Sequence, residues 1–195
     1  MIEITEKLCH SIVDFFIKEK IFSEEQRDIY QYGFELCVSS VISIAVVLAI
    51  GIISGKFLES VVFYIVFCFT RLFGGGFHAP TYLLCKITFI SVLLAVLALD
   101  WLLGDIADFY WYILYFYSLI IVCCLAPVEN HNKPLTEREK VRNRIFCIIE
   151  MVIWLAVMLL LSGIDSKLYH IVALTLFFVA NLMPIGKLYE RRKMQ

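Results

Sequence analysis

Residues 81–103 read TYLLCKITFISVLLAVLALDWLL. Only Lys86 near the start and Asp100 near the end carry charge. A helix needs about 20 mostly apolar residues to cross the hydrocarbon core of a bilayer, and this run suffices. Reading outward, Phe34–Ser54 is a second such run, with Glu35 at its edge. Phe57–Thr70 is apolar but short, and Asp108–Pro127 is rich in Tyr, Phe and Trp. Ile145–Gly163 and Leu168–Ile185 complete the set. The pattern predicts an all-α, polytopic membrane helical bundle of about six spans. Composition points the same way: of 195 residues, 61% are hydrophobic and 18% charged. Mean hydropathy is +0.84. A soluble domain is typically about 45–50% apolar, and this excess would leave large exposed apolar patches in water. Intrinsic disorder is excluded on the same grounds. A net charge of -1 offers no basic field, so nucleic acid is not an expected partner.

Lys and Arg set the expected orientation. With a cytoplasmic N-terminus, fifteen of the seventeen fall on the cytoplasmic side, and only Lys56 and Lys167 lie outside. The expected layout is one integral membrane domain over 1–195. It comprises a cytoplasmic amphipathic helix over 1–33, spans 1–4 over 34–127 with a turn at 71–80, and a basic cytoplasmic loop over 128–144. Spans 5 and 6 over 145–186 and a basic tail over 187–195 follow, so both termini are cytoplasmic. The N-terminus opens with Glu3 and Glu6 rather than a basic region, so a cleaved signal peptide is not expected. Ile4, Leu8, Ile12, Phe15 and Phe16 recur at helical spacing. Two readings stay open for that helix: lying in the membrane interface, or packing on its own protein.

The seven cysteines are odd in number and form no CxxC pair. Cys37, Cys68, Cys123, Cys124 and Cys147 lie in apolar spans, where a thiol behaves as a small hydrophobe. Cys85 differs. It stands at the start of a span beside Lys86, seven residues after His78. A nearby cation and a helix N-terminus both favour the thiolate. His78 sits in Arg71-Leu72-Phe73-Gly74-Gly75-Gly76-Phe77-His78-Ala79-Pro80. Three glycines weaken a helix, and Pro80 disfavours helical geometry at Ala79. The chain is therefore expected to break here, and irregular backbone at membrane depth persists only where protein or a wet cavity satisfies it.

On one continuous helix, residues 78 and 85 would stand about 10 Å apart along the axis. A break lets His78 fold back over the start of the next helix, towards Cys85. A Cys–His pair in hydrogen-bond reach is a minimal thiol-protease engine. Free N–H groups of Gly74, Gly75 and Gly76 could then hold an oxyanion. Glu35, Glu59, Asp100 and Glu150 are acids in or beside spans, each a candidate to orient His78. Glu59 lies three residues after Lys56 and can pair with it. No metal site or cofactor is expected: the ligand count is too low for structural zinc, and HExxH and GxSxG are absent.

The block Arg71-x-x-x-Gly75-Gly76-x-His78-Ala79, followed by Cys85, resembles the signature of the accessory gene regulator B (AgrB) family. Ala126-Pro127 and Lys133-Pro134-Leu135 resemble that family's cytoplasmic-loop motif. The resemblance covers nearly the whole chain. It implies a membrane cysteine endopeptidase of Gram-positive bacteria that processes a short AgrD-type precursor into a quorum-sensing peptide. Such enzymes remove the precursor's C-terminal tail and promote thiolactone or lactone closure, working as homodimers in the cell membrane. It also implies His78 as base and Cys85 as nucleophile, at the cytoplasmic face. Arg71, Lys133, Arg138 and Lys140 are candidates to bind an acidic precursor tail. The competing reading is a small polytopic transporter or peptide-export subunit, with the broken helix lining a path.

Overall fold

The computed structural model describes residues 2–19, 21, 23–75, 82–129, 135–164 and 166–193; of these, the side chains of 2–9, 32, 36, 82 and 190–193 lie outside the description. The described chain is mostly helical, without strands. It forms α1 (Ile2–Lys18), a 3-10 turn (Glu24–Gln26), α2 (Arg27–Ile53), α3 (Phe57–Gly74) and α4 (Tyr82–Leu103). Then come α5 (Phe109–Leu125), α6 (Glu137–Gly163) and α7 (Leu168–Lys193). Five helices are long and apolar enough to cross a bilayer. The sixth, α5, has 17 residues and at 1.5 Å per residue reaches about 26 Å, the lower limit for a crossing. The all-α bundle of about six spans is thus the observed fold class.

The centre of the bundle is α7. From Tyr169 to Leu176 every residue is buried, followed by Val179, Ala180 and Met183. It packs against α3, α4, α5 and α6. In contrast, α2 packs mainly on α1 and α3 at the periphery.

One end of the bundle gathers the turns that carry Lys56 and Lys167. The α2–α3 turn is a Schellman close: Lys56 N–H donates to Gly51 O (2.8 Å) and Gly55 N–H to Ile52 O (3.2 Å). Gly55 takes φ +67°, which a Cβ would resist. Lys56 Nζ donates to Asp100 Oδ2 at 2.8 Å, and Glu59 pairs with Lys56 at 3.7 Å, as its spacing suggested. His170, stacked on Trp111 at 4.3 Å, approaches Asp100 from the other side at 3.5 Å. Tyr169 OH donates to Asp108 at 2.7 Å.

Several boundaries differ from those expected. The amphipathic segment is not one helix over 1–33: α1 stops at Lys18, and the chain restarts through the 3-10 turn into α2. The sequence Ser23-Glu24-Glu25-Gln26 has the spacing of an N-terminal start pattern, with Ser23 at the N-cap in extended geometry and no side-chain cap bond formed. There α1 lies on α2, with Val13 fully buried, Asp14 bound to Arg27 at 2.7 Å and Phe16 stacked on Phe34. Phe15 remains 58% exposed. The third helix does not end at Thr70 but continues to Gly74. The 128–144 segment is loop only in its first part, since α6 begins at Glu137 behind a capping box. Thr136 Oγ1 accepts from Glu139 N–H at 3.3 Å, and Glu139 Oε2 accepts from Thr136 N–H at 2.9 Å. Arg138, Lys140, Arg142 and Arg144 are therefore helical. Likewise α7 continues to Lys193, so most of the expected tail extends the last helix.

Candidate functional site

The site is built where α3 ends and α4 begins. Thr70 and Arg71 sit in the last turns of α3, and Gly75 caps the helix with φ +67° and N–H donating to Arg71 O at 3.2 Å. A Cβ on Gly75 would collide with the Val128 carbonyl oxygen. That carbonyl belongs to the strand-like segment after α5, which docks here through Val128 N–H to Gly74 O at 2.9 Å. The glycines thus bring the start of the basic segment against the end of α3. From behind, α6 fixes the same end. Glu150 Oε1 accepts from Thr70 Oγ1 at 2.7 Å and from Trp154 Nε1 at 2.9 Å. Phe73 packs on Phe146 at 5.0 Å. Arg144 donates to Cys123 O at 3.1 Å, satisfying a carbonyl near the end of α5.

Cys85 lies in the first turn of α4 and is exposed. It lines a cavity of about 270 Å³ between α2, α3 and α4. The α3 wall is Tyr64, Phe67, Cys68 and Arg71. The α4 wall adds Lys86, Thr88 and Phe89, and α2 supplies Ser39, Ser40 and Ser43. The Arg71 guanidinium lies over the Phe67 ring at 5.7 Å. Electrostatically, Cys85 has two lining cations and a helix N-terminus near it, and among the described residues no carboxylate lines the cavity.

Of the residues singled out from sequence, Arg71 and Cys85 are brought into one cavity. His78, Gly76 and Lys133 lie outside the described residues, so the His78–Cys85 pair is not described. The amide of Gly75 donates to Arg71 O and Gly74 is the last residue of α3. Arg138 is exposed on α6. Lys140 is held by Glu129 at 3.1 Å and Glu137 at 2.8 Å. Among the acids considered as partners for His78, Asp100 and Glu59 sit at the opposite end of the bundle. Fifteen residues of α4, about 22 Å of helix, separate Asp100 from Cys85. Glu35 accepts from Gln31 at 3.1 Å. Glu150 is the one buried beside the end of α3.

Sequence reasoning missed Cys68 and the α2 serines as lining residues. A thiol in an apolar span reads as a small hydrophobe, and no periodicity says which neighbour a span faces. Among the described residues the cysteines are free, and no group of three or more His, Cys, Asp or Glu could hold a metal.

Residues 9–183 match the accessory gene regulator B family. A Clostridium perfringens (strain 13 / Type A) protein named "Putative AgrB-like protein 2" is 29% identical over 138 residues, 65% of this chain and 64% of that protein. One from C. perfringens (strain SM101 / Type A) is 30% identical with the same coverage. The chain thus spans somewhat under two thirds of the length of these relatives. A Listeria innocua relative, named "Putative AgrB-like protein", is 25% identical over 193 residues, 95% of this chain and 92% of its own length. No solved structure matches. The match over most of its length makes this chain a member of the accessory gene regulator B family.

Proposed function

We propose that this chain is a membrane cysteine endopeptidase acting in accessory-gene-regulator quorum sensing. It cleaves the C-terminal tail from an AgrD-type precursor peptide and promotes closure of a thiolactone or lactone ring. The observation that carries the reading is the exposed Cys85 in the first turn of α4, opening on a cavity lined by Arg71 and Lys86 and, among the described residues, by no carboxylate. Membership of the family supports it.

His78 takes the Cys85 proton, and the thiolate attacks the precursor carbonyl. The C–N bond breaks as the imidazolium gives its proton to the leaving amine. The precursor is then held as an acyl-thioester on Cys85. A thiol or hydroxyl of the same peptide loses its proton to His78, attacks that carbonyl and expels the Cys85 thiolate. With a peptide thiol, one thioester replaces another, so the exchange is near balance. Hydrolysis runs downhill, so the site has to exclude water. Holding the peptide nucleophile beside the thioester gives it a high effective molarity. The distribution of Lys and Arg supports cytoplasmic termini and a cytoplasmic site, and the family resemblance implies a homodimer.

The test is an AgrD-type precursor, tagged at its C-terminus, incubated with membranes holding the full chain. The reading expects release of the tag and a mass adduct of the N-terminal fragment on Cys85. Cys85→Ala should abolish both, and His78→Ala should slow release by about 10²–10⁴-fold. Release that persists in Cys85→Ala membranes would contradict Cys85 as the nucleophile, and transport of the intact peptide by that variant would favour the export reading instead.

A further inference from the structure

We propose that the cavity between α2, α3 and α4 is a side-chain subsite for the precursor residue whose carbonyl Cys85 attacks, and that it selects a bulky apolar side chain there. The inference rests on the peptidase reading and adds what that reading leaves open: which substrate chemistry the site accepts.

Cys85 lines the cavity itself. The side chain of the residue that acylates Cys85 starts one bond from the carbonyl carbon, so it is held next to the cavity in the acyl-enzyme. The size is right for this use. About 270 Å³ falls below the range of about 300–1,000 Å³ that houses a whole drug-sized ligand. It holds one large side chain and not a folded peptide segment.

The lining then sets the chemistry. Tyr64, Phe67 and Phe89 form an aromatic floor, with Phe67 and Phe89 edge-to-face at 5.0 Å. Arg71 and Lys86 are the charged lining residues, both cationic, so a basic side chain is repelled. The Arg71 cation is already spread over Phe67. On the α2 side, the Ser43 hydroxyl donates to its own helix at Ser39 O, 2.9 Å away. That wall therefore presents small side chains, which leave space. Filling the space with an apolar side chain also shields the thioester from water, which ring closure requires.

Two measurements on the full chain in membranes test this. The first compares kcat/KM for tagged AgrD-type precursors carrying Leu, Phe, Ala or Lys before the cut. Leu and Phe should exceed Ala by about 10-fold or more, with Lys below Ala. Ser43→Trp should fill the space and turn the Leu-to-Ala preference over. Equal rates across the series, or a preference that Ser43→Trp leaves in place, would overturn the subsite.

The second needs no peptide: the rates at which Cys85 is alkylated by N-cyclohexylmaleimide and by N-methylmaleimide. Ser43→Trp should lower the bulky-to-small rate ratio about fivefold, the size of a modest packing penalty, and Ser39→Phe should lower it too. An unchanged ratio in both variants would overturn the cavity's role. If no precursor is cleaved at all, the peptidase reading falls, while the alkylation ratio still decides whether the cavity admits bulky apolar groups beside Cys85.

Discussion

Gly75 shows how much one residue carries. Its φ of +67° lies in the region that side chains resist, and an added Cβ would meet the Val128 carbonyl. Gly75→Ala should cost about 1–3 kcal/mol in backbone strain, with the steric conflict added. Its thermal unfolding in detergent should fall below that of wild type. Gly163→Ala, where nothing stands within 4 Å, should not lower it. Equal unfolding temperatures for Gly75→Ala and wild type would refute the argument. The special backbone here was legible, because three glycines after an apolar run do not continue a helix. Which glycine takes the turn was not. The helix absorbs Gly74, and only contact with Val128, 53 positions along the chain, makes Gly75 the hinge. Arg71 and Cys85 were legible as chemistry, through charge and position. Their shared cavity was not, because it depends on how α2 and α3 face each other.

Helix boundaries depended on caps that the sequence contains. Thr136-Glu137-Arg138-Glu139 is a capping-box pattern, yet the charge of the segment reads as loop. Thr136→Ala should cost about 1 kcal/mol, visible as faster amide exchange over residues 137–141 with little change in the rest of α6. Unchanged exchange there would mean that the box does not hold the helix start. The tie between α3 and α6 is a second element-scale device. Glu150 accepts two hydrogen bonds on one oxygen, from Thr70 and Trp154. Glu150→Leu leaves the buried Thr70 hydroxyl and the half-buried Trp154 indole N–H unpaired, and the buried Thr70 group alone costs about 1–3 kcal/mol. Glu150→Gln keeps a carbonyl acceptor and should retain most of the stability. Equal losses in the two variants would contradict the hydrogen-bond account. Glu150 was flagged as an intramembrane acid, but its partners lie 80 and 4 positions away, and only the first is beyond the reach of helical spacing.

Across the whole molecule, the two ends divide the work: one is closed by ionic and aromatic ties, and the other holds the cavity. The hydrogen bond to Asp100 raises the Lys56 ammonium above the usual lysine value. Its stabilising contribution is then complete below the unfolded value of 10.5 and is lost as pH rises through the higher folded value. Lys56→Met should therefore be less stable than wild type at neutral pH, with the gap closing under strong alkali. A gap that stays constant with pH would show that the pair contributes nothing. Span number and the clustering of Lys and Arg were legible from composition and periodicity. The central place of α7 was not, since hydropathy alone cannot distinguish a helix facing lipid from one buried in protein. The proposed chemistry requires Cys85 to be an activated thiol served by His78. The measurement that tests it most directly is iodoacetamide alkylation of the full chain in native membranes across pH. Modification would be quantified at each cysteine by peptide mass spectrometry, in wild type and in His78→Ala. Cys85 should react faster than Cys123 and Cys147 near neutral pH, and His78→Ala should remove the advantage. Cys85 reacting no faster than those two, with or without His78, would contradict it.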